Sequence, residues 1–192
     1  MKLLRAPLVG ALLSFAFAGT AWAGPDLTAE MYSRSDRLGG SAYFSVGTVL
    51  LEFAIKNIGD APASGALVRR KSGYTVDVVL SRDPTVRRGL ARYSASFTDD
   101  VLLRSGHYSD TLDLAPGAEQ RFSGPLRYRG SPASPYNYLE FPLPSGLSPG
   151  GYYVCVNVDP ENRVAESNEL NNTTCSAIEI RSYVFPKARK AP

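Results

Sequence analysis

The chain has 192 residues, of which 21 are Lys or Arg and 18 are Asp or Glu, so its formal net charge is +3. This length is sufficient for one domain with a hydrophobic core. No basic patch with interleaved aromatic residues is present, which argues against a nucleic-acid-binding protein.

The first 23 residues have the pattern of a secretory signal peptide. Lys2 and Arg5 give a positive start, and a short apolar run follows from Leu8 to Ala18. Ala21-Trp22-Ala23 then supplies the small residues that a cleavage site requires. No second apolar run follows, so we expect no transmembrane segment after cleavage. The sequence therefore predicts an exported protein, periplasmic or extracellular, that begins at residue 24.

Alternation of apolar and polar residues predicts a series of β-strands within residues 24–182. The pattern is clearest from Val49 to Lys56 and from Tyr74 to Leu80. Because each strand has one apolar face, two antiparallel sheets that cover each other are expected, which is an all-β sandwich. Further strands are predicted at Leu27–Met31, Glu119–Leu126, Tyr152–Val158 and Thr173–Ile180.

Two long loop insertions interrupt this pattern. Leu90–Ser109 is interpreted as one or two short edge strands with a connection, and Arg129–Pro149 as a long loop rich in Pro, Ser, Tyr and Gly. A function specific to this chain is expected there, because loops on a rigid scaffold often carry function. Residues 183–192 form a basic tail, which is interpreted as a solvated terminus or as a contact to an anionic surface.

The two cysteines, Cys155 and Cys175, lie on the last two predicted strands. If Val154 and Val156 face the core, both cysteines share the outer face of adjacent antiparallel strands, where a cross-strand disulfide can form. An exported protein meets an oxidising compartment, so we expect the two to pair. A redox-active pair is the alternative, but the chain has no Cys-x-x-Cys spacing.

The loop between these strands, Asp159–Asn172 (the signature loop), is rich in Asp, Glu and Asn. Oxygen ligands of this kind suit Ca²⁺. The same residue types also fold back onto their own backbone in turns. The sequence leaves open whether the loop is a calcium site, a self-hydrogen-bonded turn or both. The candidate ligands are Asp159, Asn162, Glu166, Asn168, Glu169 and Asn171.

The signature loop resembles the closing segment of the CARDB family, the cell adhesion related domain found in bacteria. Glu166-Ser167-Asn168-Glu169-Leu170-Asn171-Asn172 matches the family's Glu-x-Asn-Glu-x-Asn-Asn pattern. The resemblance implies an antiparallel immunoglobulin-like β-sandwich of about seven strands and a non-catalytic surface module. Other matching segments follow in the expected order: Pro25–Leu27, Phe53–Ala61, Val76–Asp83, Leu114–Gly117 and Leu147–Tyr153.

His107 is the only histidine of the chain and lies in a turn-like context. A Ser/His/Asp triad would require distant residues to converge on it, and the His-Glu-x-x-His motif is absent from the sequence. We therefore interpret His107 as an incidental surface residue and predict no enzymatic activity.

Two functions agree with the resemblance. The first is an exported bacterial binding or adhesion module, monomeric, whose partner is a protein or glycan of the cell envelope. Aromatic side chains of the second insertion would stack on that ligand, since a ring offers a flat apolar face. The second is a structural or assembly protein that docks a protein partner through a sheet edge. Neither requires a cofactor, and Ca²⁺ is the one ion that the signature loop could hold. The aromatic candidates are Tyr128, Tyr136, Tyr138 and Phe141.

Overall fold

A computed structural model of the chain describes residues 23–34, 42–44, 47–86, 99–123 and 139–181. Within these residues the chain forms nine β-strands and one short helix. No helix in this part of the chain is long and apolar enough to cross a membrane. The elements are β1 (Leu27–Arg34), β2 (Ala42–Phe44), β3 (Thr48–Asn57), α1 (Ala66–Arg69), β4 (Val76–Ser81), β5 (Val101–Tyr108), β6 (Glu119–Phe122), β7 (Leu139–Pro142), β8 (Gly150–Val158) and β9 (Thr173–Arg181).

Several predicted features lie outside the described residues. They are the signal peptide up to residue 22, the basic tail at 183–192, and Tyr128, Tyr136 and Tyr138 of the aromatic loop.

The strands form two sheets that face each other. In the first sheet, β3 pairs with β1 on one side and with β6 and β7 on the other. The second sheet has the order β2-β9-β8-β4-β5. All pairs are antiparallel except β2 with β9, which is parallel. The predicted all-β sandwich is confirmed, with β2 and β7 in addition to the strands expected from the sequence.

The hydrophobic core lies between the two sheets. Phe53 of β3 stacks on Phe122 of β6, with 4.8 Å between ring centroids, and meets Tyr108 of β5 edge-on at 5.8 Å. Apolar residues at alternating positions of β8 fill the core from the other side, as the alternation predicts. These core residues of β8 are Tyr152, Val154, Val156 and Val158.

The outer face of the second sheet is also covered along its middle. Val79, Leu102 and Cys155 point away from the core, because their neighbours in the chain face it. They are buried nevertheless. The segment after β4 contributes to this cover, because the carbonyl oxygen of Pro84 lies 3.4 Å from Cys175 Sγ.

The N-terminal segment is fixed on the turn that follows β3. The backbone N–H of Gly24 donates to Asp60 Oδ1 at 2.7 Å, and the N–H of Asp60 donates to the carbonyl of Gly24 at 3.1 Å. The approach requires glycine at position 59, since a Cβ atom there would lie 2.3 Å from the Gly24 carbonyl oxygen. The glycine in the Phe53–Ala61 segment, which the sequence analysis compared with the family, thus has a steric reason.

Candidate functional site

The first turn of the signature loop is organised by the carboxylate of Asp159. Its two oxygens accept the backbone N–H groups of Arg163 at 3.1 Å and Val164 at 2.8 Å. Asp159 and Asn162 adopt φ angles of 46° and 54°, a left-handed conformation that Asp and Asn tolerate better than most residues. Burial raises the pKa of Asp159, and the two backbone donors oppose that rise. The turn is therefore closed by its own hydrogen bonds.

The second half of the signature loop is bound to β1. Glu166 accepts the N–H of Leu27 with one oxygen and the side-chain amide of Asn172 with the other, the latter at 2.7 Å. Burial of the Glu166 carboxyl raises its pKa to about 7. Asn171 donates to Asp26 Oδ1 at 2.7 Å, and its carbonyl accepts the Thr28 hydroxyl at 3.2 Å. These bonds join the loop to the beginning of the fold, a role that sequence reasoning did not assign to it.

The remaining predicted metal ligands also take part in local hydrogen bonds. Glu169 Oε1 accepts the N–H of Glu166 at 3.0 Å, and Asn168 Oδ1 accepts the N–H of Leu170 at 3.1 Å. Among the described residues, no group of three or more His, Cys, Asp or Glu side chains is arranged to hold a metal ion. The loop in this conformation therefore fits a self-hydrogen-bonded turn better than a carboxylate cage for Ca²⁺.

The predicted disulfide between Cys155 and Cys175 is present. The two residues lie directly opposite each other in the β8–β9 register, and their sulfur atoms are bonded. The bond therefore fixes the two strands that hold the ends of the signature loop.

Phe141 differs from the prediction. It belongs to β7, pairs with Val49 of β3, and is 1% exposed in the core. Its ring therefore fills the sandwich and is not available for stacking on a ligand.

A polar pair that the sequence did not predict lies on the outer face of the second sheet. His107 Nδ1 is 2.7 Å from Asp77 Oδ1. Asp77 is 3% exposed, and burial raises its pKa while the bond to His107 opposes the rise. The buried carboxylate bonds the imidazole at Nδ1, an arrangement that fixes the orientation of a histidine ring. Within the described residues, no serine, threonine or cysteine side chain is hydrogen-bonded to His107, so the pair lacks the bonded nucleophile of a catalytic triad.

An irregularity in β5 brings His107 to this face. The β4–β5 register shifts between Asp77 and Val79, and Ser105 has a φ angle of 63°. Four residues of β5, Leu103–Gly106, lie opposite the single residue Val78 of β4, and this odd excess of three residues reverses the alternation of side chains. Leu103 faces the core, whereas His107, four residues later, faces outward. Strict alternation from Leu103 would have predicted the opposite face.

Gly106 is required at this bulge. A Cβ atom at Gly106 would lie 2.7 Å from the Val78 carbonyl oxygen and 2.8 Å from that of Leu103. We expect Gly106→Ala to lower the free energy of unfolding by about 1–3 kcal/mol, the usual cost of overpacking, and to displace His107. Denaturant unfolding and the NMR shifts of the His107 ring measure the two effects. Gly151→Ala is the control, since a Cβ atom there meets nothing within 4 Å. Equal effects of the two substitutions would contradict the requirement for glycine at position 106.

A groove of about 490 Å³ opens beside His107. Its walls come from three parts of the chain: α1 with the turn after it, the adjoining ends of β4 and β5, and the signature loop. The backbone N–H of Asp159 donates to the Thr75 carbonyl at 2.8 Å, so the signature loop also fixes the back of the groove. The polar residues of the walls are Arg70, Lys71, Thr75, His107, Ser109 and Arg163.

The comparisons with known proteins find distant solved structures. No family model and no curated protein matches the chain. A crystal structure of the CARDB domain of a Pyrococcus furiosus protein, in complex with di-metal ions, is 19% identical, with a TM-score of 0.47, and the match covers 83% of this chain and 96% of that one. The chain resembles CARDB domains, as its sequence motifs predict.

Two further solved structures are similar to this chain. The solution structure of the same Pyrococcus furiosus CARDB domain is 20% identical, has a TM-score of 0.46, and the match covers 82% of this chain and 95% of that one. A cell surface protein domain from Methanosarcina acetivorans is 17% identical, has a TM-score of 0.38, and the match covers 85% of this chain and 98% of that one. At such identities a likeness concerns the fold alone, so the function has to be argued from the site.

Proposed function

We propose that the protein is an exported, non-catalytic binding module of the bacterial cell envelope and that it takes its ligand in the groove beside His107. The observation that carries this proposal is the convergence of three separate parts of the chain on one concave site that contains several polar side chains. Binding sites of proteins are usually concave and contain a few convergent polar groups.

The frame around the groove is rigid, which favours binding. The disulfide joins the strands on both sides of the signature loop, and Asp159 holds the backbone of Arg163 within that loop. Asp77 fixes the imidazole of His107. A site that is formed before the ligand arrives loses less conformational entropy on binding.

Retention on immobilised envelope fractions and on a glycan array tests this proposal. Ser109 is an exposed residue of the groove, so Ser109→Trp should fill the groove without disturbing the core. We expect the wild-type protein to be retained and Ser109→Trp to lose retention. Ser123→Trp, at another exposed serine after β6, is the matched control and should bind like the wild type. Equal retention of all three proteins would show that the groove is not the binding site.

A structural or assembly role is the second candidate, favoured by the position of β5. Among the described strands, β5 pairs only with β4 and ends the second sheet. A partner strand can add to such an edge through backbone hydrogen bonds. Capture of an envelope protein that survives Ser109→Trp would favour this role over ligand binding in the groove.

The signature loop acts, in this proposal, as a structural latch between the end and the beginning of the sandwich. Its carboxylates already accept hydrogen bonds from the protein, so Ca²⁺ would have to displace some of these bonds. We therefore expect the melting temperature to be the same in Ca²⁺ and in a chelator, since only a bound ion would stabilise the folded state. A rise in the melting temperature with Ca²⁺, reversed by the chelator, would instead establish a calcium site.

A further inference from the structure

The charges of the groove are predominantly positive. Arg70 and Lys71 follow α1, and within the described part of the chain neither takes part in an ion pair. Arg163 comes from the signature loop, and one edge of its guanidinium group donates to Glu161, with Nε at 2.8 Å. The groove thus combines two cations that have no ion-pair partner among the described residues with a third that is only partly neutralised.

The back of the groove contains a hydroxyl group without a partner. Thr75 is 1% exposed, and its Oγ1 has no hydrogen-bond partner among the described residues. A buried polar group of this kind is destabilising unless something bonds to it. Val76 pairs with Tyr108, so the preceding Thr75 lies beside the following Ser109, whose side chain also lines the groove. Two hydroxyl groups are therefore close to the cationic rim.

The imidazole of His107 completes the set of donors. Asp77 occupies Nδ1, which leaves Nε2, on the opposite side of the ring, to interact with a ligand. The His107 side chain is 46% exposed and lines the groove. Among the negative groups nearby, Asp77 is paired with His107, Glu161 is paired with Arg163, and Asp159 accepts the backbone N–H groups of Arg163 and Val164.

We propose that the groove recognises a phosphate group on its ligand. This inference rests on the proposed binding function and names the chemistry of the ligand. Guanidinium, ammonium, imidazole and hydroxyl donors from separate parts of the chain match an anion that offers several oxygens in different directions. A phosphate oxygen that reaches the Thr75 hydroxyl at the back of the groove would give it the partner that it lacks. Such a group is present in phosphorylated saccharides and in lipid headgroups.

Titration of isotope-labelled protein with inorganic phosphate tests this inference by NMR. We expect saturable shifts of the amides around the groove. The double variant Arg70→Gln, Lys71→Gln should weaken binding by about tenfold for each cation lost. Arg69→Gln is the matched control, because Arg69 is the exposed last residue of α1, precedes Arg70 directly and does not line the groove. Absence of saturable shifts, or equal weakening in the control, would overturn the proposal.

Thr75→Val separates a ligand contact from a structural role. The substitution keeps the shape of the side chain and removes the unpartnered hydroxyl. We expect weaker phosphate binding together with an unchanged or raised unfolding midpoint, because no internal hydrogen bond is lost. Unchanged phosphate affinity would remove Thr75 from the site and contradict the argument from its orphaned hydroxyl.

Two further experiments, vesicle co-sedimentation and envelope retention in excess phosphate, identify the source of the phosphate. They also distinguish a failure of this inference from a failure of the proposed function. Co-sedimentation with phosphatidylglycerol vesicles that phosphate competes away indicates a lipid headgroup, whereas NMR shifts without vesicle binding indicate a soluble phosphorylated ligand. Envelope retention that Ser109→Trp abolishes but excess phosphate does not would overturn the phosphate assignment alone. Phosphate shifts without any envelope retention would overturn the envelope function and leave the anion site.

Discussion

Glu166→Ala is expected to lower the free energy of unfolding by about 2–4 kcal/mol at about pH 8, because it leaves two donors without an acceptor. These donors are the backbone N–H of Leu27, at the start of β1, and the side-chain amide of Asn172. The effect should be large for a loop residue, since the lost bonds join parts of the chain that are far apart in sequence. Denaturant unfolding measures it, and a loss no greater than that of Ala165→Gly, at an exposed neighbour, would contradict the latch.

Glu166→Gln should change the pH dependence of stability. The folded pKa of Glu166 is raised from 4.5 to about 7, so its contribution is fully present below pH 4.5 and is lost as the pH rises through about 7. Because the carboxyl is partly exposed, we expect the loss to be about 1–2 kcal/mol after solvent screening. Glutamine keeps an acceptor for Leu27, and its amide can donate to Asn172 Oδ1, which has no partner in the described residues.

Unfolding curves of the wild type and Glu166→Gln across this pH range isolate the effect. Burial also raises the pKa values of Asp77 and Asp159, but both proteins contain these residues, so their contributions cancel in the comparison. Parallel pH profiles of the two proteins would show that Glu166 is not the responsible group.

Removal of the disulfide is the second substitution with a large expected effect. Cys155→Ala with Cys175→Ala should lower the free energy of unfolding by about 3 kcal/mol, since the bond closes a loop of some twenty residues in the unfolded chain. The sequence separation of the two cysteines is 20. A reductant should destabilise the wild-type protein by a similar amount and leave the double variant unchanged. Equal stability of the oxidised and reduced wild type would contradict this prediction.

The strands and the disulfide could be predicted because both depend on local alternation. Apolar residues at every second position of β3 and β8 identify their core faces, and the same parity places Cys155 and Cys175 on the outer face. The additional strands β2 and β7 are only 3 and 4 residues long, too short for a periodic signal. Phe141 was interpreted as a loop residue for this reason.

The groove could not be predicted, because its residues meet through register and through a bulge. Asp77 and His107 are 30 residues apart, and the bulge at Ser105 and Gly106 reverses the face on which His107 lies. The bonds of the signature loop to β1 are hidden in the same way: Glu166 and Leu27 are separated by 139 residues. The acidic composition and the family motif of this loop identify neither the residues of β1 that it bonds nor the groove that it supports.

If the chain is cleaved after Ala23, as its sequence predicts, the hydrogen bond between Gly24 and Asp60 would connect folding with the maturation of the chain. In the precursor, the Gly24 nitrogen is a peptide amide 2.7 Å from Asp60 Oδ1. The predicted cleavage after Ala23 would turn that nitrogen into an α-ammonium group, and a charge-assisted bond of this kind is roughly twice as strong as a neutral one. The mature domain would then be more stable than its precursor, so part of its stability would become available only after the leader peptidase has acted.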